Sequence, residues 1–263
     1  MRRLRFALLL GLALAPIPGW GAVNWSISNV PSYFGGDFHS SVHTGIFYDP
    51  TTLQAQTNNW WASLTIPYIT ITNLPNGAAY NRGVVVGSSK GTPTHNASGL
   101  GDILLSAHYR VYRGVGFWPS MEPYAQIKFG TASSTEGLGT GLTDYEIGSN
   151  FSENLGWIRP FFSVGYDFVG RDKAYPLRNI LTYSVGTTMS VFVPGETRQS
   201  NFLTLLYSGS QSELNGYPSI GTVLLAWNHD FTPAGTGFQF YLAKGVTSSS
   251  PGFGVGFGFQ VAL

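Results

Sequence analysis

The sequence predicts an all-β protein, an antiparallel transmembrane β-barrel of about twelve strands, within a span of about 10 to 14. Three observations carry that reading. Segments of about ten residues alternate apolar and polar with period two, which is the pattern of a strand with two unlike faces. The links between those segments alternate short and long. Charged residues make up only 10% of the 263 residues, while hydrophobic residues make up 43%. The usual charged share is about 25%, and a soluble protein of this size needs charge on its outside.

Composition closes off other classes. So much apolar surface would not stay solvated in a disordered chain. The sequence has no cysteine, so it builds neither a disulfide framework nor a thiolate metal site. The first residues read as a secretory signal: Arg2, Arg3 and Arg5, then an apolar run from Phe6 to Ala15, then Gly19 and Gly21 at positions suited to cleavage. That divides the chain into a signal peptide, residues 1–22, and a barrel domain, residues 23–263. Removing the signal lowers Lys+Arg from 14 to 11 against 13 Asp+Glu, a net charge of −2. Nothing in that balance points to nucleic acid. The apolar run of the signal is shorter than the roughly 20 residues of a spanning helix, and no later segment has that length. A membrane-embedded mature chain must therefore close into a barrel.

The strands follow in order. A weak first one lies within 32–41. Then come 44–57, 60–72, 100–113, 120–130, 142–153, 157–169, 179–192, 200–210, 219–231, 237–246 and 252–263. Short links fall at 58–59, 114–118, 155–156, 194–197 and 232–235. Longer ones fall at 73–99, 131–141, 170–178, 211–218 and 247–251. Outer-membrane barrels alternate short periplasmic turns with longer extracellular loops, and this parity puts both chain ends on the periplasmic side.

The faces agree. In 142–153, Tyr145, Ile147 and Phe151 oppose Asp144, Glu146, Gly148 and Asn150. In 157–169, Ile158, Phe162, Val164, Tyr166 and Phe168 oppose Arg159, Ser163, Gly165 and Asp167. In the last strand Phe253, Val255, Phe257, Phe259, Val261 and Leu263 share one face. In water such an edge would aggregate. In a barrel it closes against the first strand and shows its Phe side chains to lipid. The charge sits on the small and polar faces, so the apolar face is the outside.

The stretches Tyr48–Ile71, Ser98–Tyr112 (SGLGDILLSAHYRVY) and Gly139–Gly148 (GTGLTDYEIG) resemble the bacterial outer-membrane barrel family labelled for the meta-pathway of phenol degradation. The resemblance runs from about Gly35 to Leu263. It implies an outer-membrane barrel with a presumed transport role and names no solute. Many such barrels end in Phe or Trp, whereas this chain ends in Leu263.

Alternation turns one set of charges inward: Asp102, His108, Arg110, Glu122, Lys128, Asp144, Glu146, Arg159 and Asp167. These are the candidate lumen-lining and selectivity residues. They read either as a polar wall that orients a solute or as a salt-bridge network that plugs a narrow barrel. Asp102 follows Ser-Gly-Leu-Gly. Its Gly-x-Gly-Asp can bend the backbone and let the carboxylate cap neighbouring amides, or simply stabilise a turn. No helix follows, so it is not a nucleotide loop.

Nucleophilic chemistry finds little support. Ser106 and His108 share a face, but i and i+2 side chains on a strand stand about 6–7 Å apart, and no Gly-x-Ser-x-Gly occurs. Asp37, His39 and His43 have metal-ligand residue types in a loop, where such histidines are normally solvated. Trp60, Trp61, Trp118, Trp157, Trp227, Tyr33, Tyr48, Tyr175 and Tyr217 flank the strands; they read as an interfacial girdle, with aromatic stations for a hydrophobic substrate as the competing reading. The expectation is a monomeric, non-enzymatic outer-membrane barrel without cofactor or metal, its partners lipid and a small solute. It passes small, hydrophobic or aromatic solutes passively. The alternatives are a closed structural barrel and an outer-membrane lipid-modifying enzyme.

Overall fold

A computed structural model describes residues 22–87, 93–114, 118–171, 177–192 and 200–263. The signal segment before residue 22, the 194–197 turn, Tyr175 and parts of the 114–118 and 170–178 links lie outside the described residues. Twelve antiparallel staves form one closed ring. The first is β1 (Asn24–Asn29) with β2 (Ser32–Gly36). β3 (Thr44–Gln56) and β4 (Trp60–Pro75) follow. A small hairpin, β5 (Ala79–Asn81) and β6 (Val84–Val86), stands apart from the ring. The fourth stave is β7 (Thr94–Leu100) with β8 (Ile103–Tyr109). The rest are β9 (Ser120–Phe129), β10 (Asp144–Ser152), β11 (Ile158–Phe168), β12 (Ile180–Val191), β13 (Asn201–Ser210), β14 (Ile220–Asp230), β15 (Gly237–Gly245) and β16 (Phe253–Ala262). Closure comes from β16, which pairs with β15 on one edge and with both β1 and β2 on the other. Leu263 N–H still donates to the Trp25 carbonyl at 2.8 Å, so the ladder runs to the last residue.

The barrel is inverted relative to a soluble protein. Phe259, Ile147 and Val185 are 53–55% exposed on the outer face, while Lys128 is 2% exposed and Asp144 and Asp167 are 0% exposed inside. Period-two alternation around a closed ring produces this inversion directly.

Two staves are interrupted, and the same pair of prolines flanks both breaks. Pro50 and Pro67 face each other across β3 and β4. Proline has no N–H to give a neighbouring strand. On one side of the pair the stave breaks at Val30-Pro31, on the other at Gly101-Asp102. There Tyr68 pairs with Leu100 and Thr65 with Leu104. One extra residue is thus accommodated on the β7/β8 side, a β-bulge. The bulge turns the Asp102 carboxylate inward.

Three details differ from the sequence expectation. The first stave begins at Asn24, and the weak 32–41 segment supplies only its second half. The strand expected at 100–113 begins at Thr94. The 73–99 segment, expected as a plain loop, contains β5 and β6. That hairpin lies inside the long-loop end of the barrel. Val84, Val85 and Val86 pack with Ile46, Ile69, Ile71, Leu74, Ala97 and Leu138 into a buried apolar cluster. Each Val, Ile or Leu among them contributes about 1.5–3 kcal/mol on burial. Tyr80 N–H donates to the Gly137 carbonyl at 2.8 Å, which ties the hairpin to the β9–β10 loop.

Gly258 sits where β16 meets the Val30-Pro31 break. A Cβ there would collide with the Asn29 carbonyl oxygen and the Val30 Cα, which are backbone atoms that cannot rotate aside. Gly258→Ala should therefore strain the closing seam by about 1–3 kcal/mol. The check is the temperature at which the compact form is lost when samples are heated stepwise before a denaturing gel. The variant should lose it at a lower temperature than the parent.

Candidate functional site

The inward charges gather mostly at the long-loop end of the lumen, around the hairpin tip. Lys128 on β9 is buried, with its Nζ 2.8 Å from Asp144 Oδ2 and 3.4 Å from Asp102 Oδ2. It also donates to Asn81 Oδ1 at 2.6 Å, and the Asn81 amide donates to Glu213 Oε2 at 2.6 Å. Asp102 Oδ1 accepts from Ala132 N–H at 2.9 Å, so the Gly-x-Gly-Asp stretch caps an amide and joins the network together. Asp144 Oδ1 accepts from Gly170 N–H at 2.8 Å.

Arg82 is the tip of the hairpin. Its backbone is left-handed (φ 48°), and Gly83 follows at φ 88°. Two successive residues with φ > 0 are what a tight two-residue hairpin turn requires, and a non-glycine residue there costs about 1–2 kcal/mol. The side chain crosses to the wall. Arg82 Nη1 lies 2.8 Å from Glu146 Oε2 and 3.0 Å from Asp167 Oδ2, and Nε lies 3.8 Å from Asp144 Oδ2. Glu146 Oε1 accepts from the hydroxyls of Tyr124 and Thr182, each at 2.8 Å. Among the described residues, five carboxylates (Asp102, Asp144, Glu146, Asp167, Glu213) thus surround two cations, Lys128 and Arg82.

A second group lies toward the short turns. Glu122 Oε1 accepts from Trp61 Nε1 at 3.1 Å and from the Asn150 amide at 3.4 Å, and lies 3.4 Å from His108 Nδ1. Arg110 Nη2 reaches Glu122 Oε2 at 3.4 Å. The Trp61 ring stacks on His108 at 3.4 Å between centroids, and His108 stacks on Tyr124 at 5.1 Å. Tyr124 therefore links the two groups, its ring in one and its hydroxyl in the other.

The nine sequence-selected residues do not form one ion-pair network. Asp102, Lys128, Asp144, Glu146 and Asp167 belong to the first group; His108, Arg110 and Glu122 belong to the second. Arg159 shares the inner face by its register with Thr188, but it is solvent-exposed and no ion pair joins it to either group among the described residues. Trp61 and Tyr48, both expected in the outer girdle, point into the lumen: Trp61 meets Glu122 and His108, one residue out of phase with Trp60, and Tyr48 meets Tyr80 of the hairpin. Trp118 and Trp157 are exposed beside short turns, as a girdle requires. Ser106 bonds to Ser63 at 2.9 Å and does not meet His108. Asp37 and His43 form an exposed pair at 3.1 Å, and His39 turns to Ser248. Among the described residues no three acid, His or Cys side chains are grouped to hold a metal ion.

Arg82 and Glu213 were missed in the sequence. The available signal was Asn81-Arg82-Gly83 between Ala78-Ala79-Tyr80 and Val84-Val85-Val86, a hairpin pattern with glycine at the turn. Nothing local marks Glu213 as buried.

The hairpin divides the lumen. A cavity of about 490 Å³ is walled by Tyr48, Tyr80, Tyr241, Phe34 and Leu104 and reaches Arg82. A second, of about 280 Å³, runs past Arg82, Thr182, Glu213 and Ile220.

No family model matches the sequence, and no curated protein matches it. The fold is similar to that of an outer membrane channel from Pseudomonas putida F1. There the identity is 10%, with 95% of this chain and 100% of that one covered at a TM-score of 0.64. It is also similar to the translocator domain of the autotransporter NalP from Neisseria meningitidis, at 12% identity over 98% of this chain and 93% of that one, TM-score 0.55. The likeness is one of fold: a closed barrel of the outer-membrane kind.

Burial pushes the Glu213 carboxyl above the ordinary 4.5, the Asn81 hydrogen bond pulls against it, and Asp144 adds to the rise. A raised acid binds more protons folded than unfolded, so its contribution to stability falls as pH climbs from the ordinary value. Glu213→Gln keeps an oxygen for Asn81 and removes the titration. Its melting temperature should match the parent's near pH 4 and exceed it near pH 8. Equal differences at both pH values would show that Glu213 is not strained by its ionisation.

Proposed function

We propose that the chain is an outer-membrane channel through which small, apolar or aromatic solutes pass down their gradient, and that hairpin β5–β6 closes it in the described state. One observation carries the reading. The hairpin is a loop element inside the lumen, held to β9, β10 and β11 by ion pairs and hydrogen bonds, with cavities on both sides of it. The wall of the larger cavity is mostly aromatic and apolar, with Ser32, Gln126 and Gln239 as its polar members beside Arg82, which suits an apolar solute with few polar groups. Outer-membrane placement rests on the inverted surface, apolar outside and charged inside. The presumed transport role of the meta-pathway barrels agrees with it.

A closed structural barrel is the second reading, and the apolar packing of the hairpin favours it. Planar-bilayer recording separates the two. In a variant with residues 78–87 replaced by a short Gly-Ser link, conductance should rise at least about threefold over the parent, the expected effect of removing an obstruction from a water-filled pore. Liposomes carrying the variant should take up small aromatic solutes faster. No current and no uptake from either form would leave the structural barrel as the function.

A further inference from the structure

We infer that Asp144, Glu146 and Asp167 form a binding site for the cationic nitrogen of an apolar amine, and that Arg82 fills this site as the chain's own stand-in until a solute displaces it. The inference rests on the channel reading and adds the solute class.

The charge balance comes first. Among the described residues five carboxylates share two cations in this end of the lumen, and one of the two cations, Arg82, belongs to a loop hairpin and not to the wall. The excess negative charge here repels an entering anion and attracts an entering cation. The fit of Arg82 comes second. Only Nη1 makes close contacts; Nε and Nη2 are buried without a hydrogen-bond partner. On the other side Asp167 is wholly buried, and its Oδ1 accepts no hydrogen bond. Donors and acceptors are left unmade in the same place. A planar guanidinium presents its donors in a fixed fork, whereas an ammonium rotates three donors to whatever acceptors surround it.

The kind of cation is also restricted. The acid side chains are not grouped to hold a metal ion among the described residues, so the site suits a cation that makes separate hydrogen bonds. The surroundings supply room for its body. Both cavities reach Arg82, one walled by Tyr48, Tyr80, Tyr241 and Leu104, the other by Phe34, Val84 and Ile220. A solute with an ammonium head and a small apolar or aromatic body matches both parts.

The test uses three probes that share a phenethyl body and differ in the charge of the head: phenethylammonium, 2-phenylethanol and 3-phenylpropanoate. Val84→Cys gives a chain that otherwise has no cysteine a thiol on the buried face of the hairpin. Labelling by a water-soluble maleimide then reports departure of the hairpin in the full-length protein. Phenethylammonium at millimolar concentration should speed labelling at least about fivefold, and the alcohol and the acid should leave it unchanged. Asp167→Asn should abolish the response to the amine, and Arg82→Gln should give fast labelling with no probe at all. Calorimetric titration of the unsubstituted chain, with heat from the amine alone, is the check that does not depend on position 84. Equal responses to all three probes in a conducting channel would overturn the inference and leave the channel reading intact. An amine-specific response without current in a bilayer would uphold the site and overturn the channel reading.

Discussion

Closure of the hydrogen-bonded ring is the constraint on which everything else rests. A strand in hydrocarbon has no water to satisfy its backbone, so each N–H and C=O must find a neighbouring strand. β16 meets this demand by pairing with β15 on one side and with β1 and β2 on the other, down to the final residue. Once the ring is closed, alternation gives every strand one face toward lipid and one toward the lumen. The Phe row of β16 and the buried carboxylates of β10 and β11 are two results of that single geometric fact.

Inside the ring, polar groups leave bulk water without gaining an apolar core, which is costly unless they pair. The lumen answers with dense local pairing. Lys128 holds Asp102 and Asp144, Arg82 holds Glu146 and Asp167, and Asn81 connects Lys128 to Glu213. Valines on the same hairpin make its apolar contacts with β3, β4 and β7. The hairpin is therefore a miniature core element carried by a loop. Tyr124 passes the arrangement on toward the short turns, where Glu122 fixes the Trp61 and His108 rings.

The barrel was largely legible in the sequence because period two is a local property. The inward placement of Asp144, Glu146, Asp167 and Glu122 follows from counting along one strand. Trp61 shows how narrow the margin is, since its neighbour Trp60 faces lipid and a shift of one residue exchanges them. What stayed hidden depends on contacts distant in sequence. Arg82 reaches Glu146 across 64 residues, and Asn81 reaches Glu213 across 132. No periodicity records such pairs. The Asn-Arg-Gly turn announces a hairpin without saying that it folds back into the lumen. The start of the first stave was hidden for another reason: Pro31 interrupts it, so Asn24–Asn29 is too short a run to stand out.

The sequence positions of the hairpin's contacts also fix an order of events. Its apolar partners on β3, β4 and β7 are its own neighbours in the chain, but its charged partners arrive much later. The bond from Asn81 to Glu213 exists only after the β13–β14 loop has reached the lumen, and loop-closure entropy opposes such a contact until the intervening strands have paired. By that argument the apolar seating of the hairpin against β3, β4 and β7 precedes its ties to the far side of the ring, and Glu213 is the partner that waits longest.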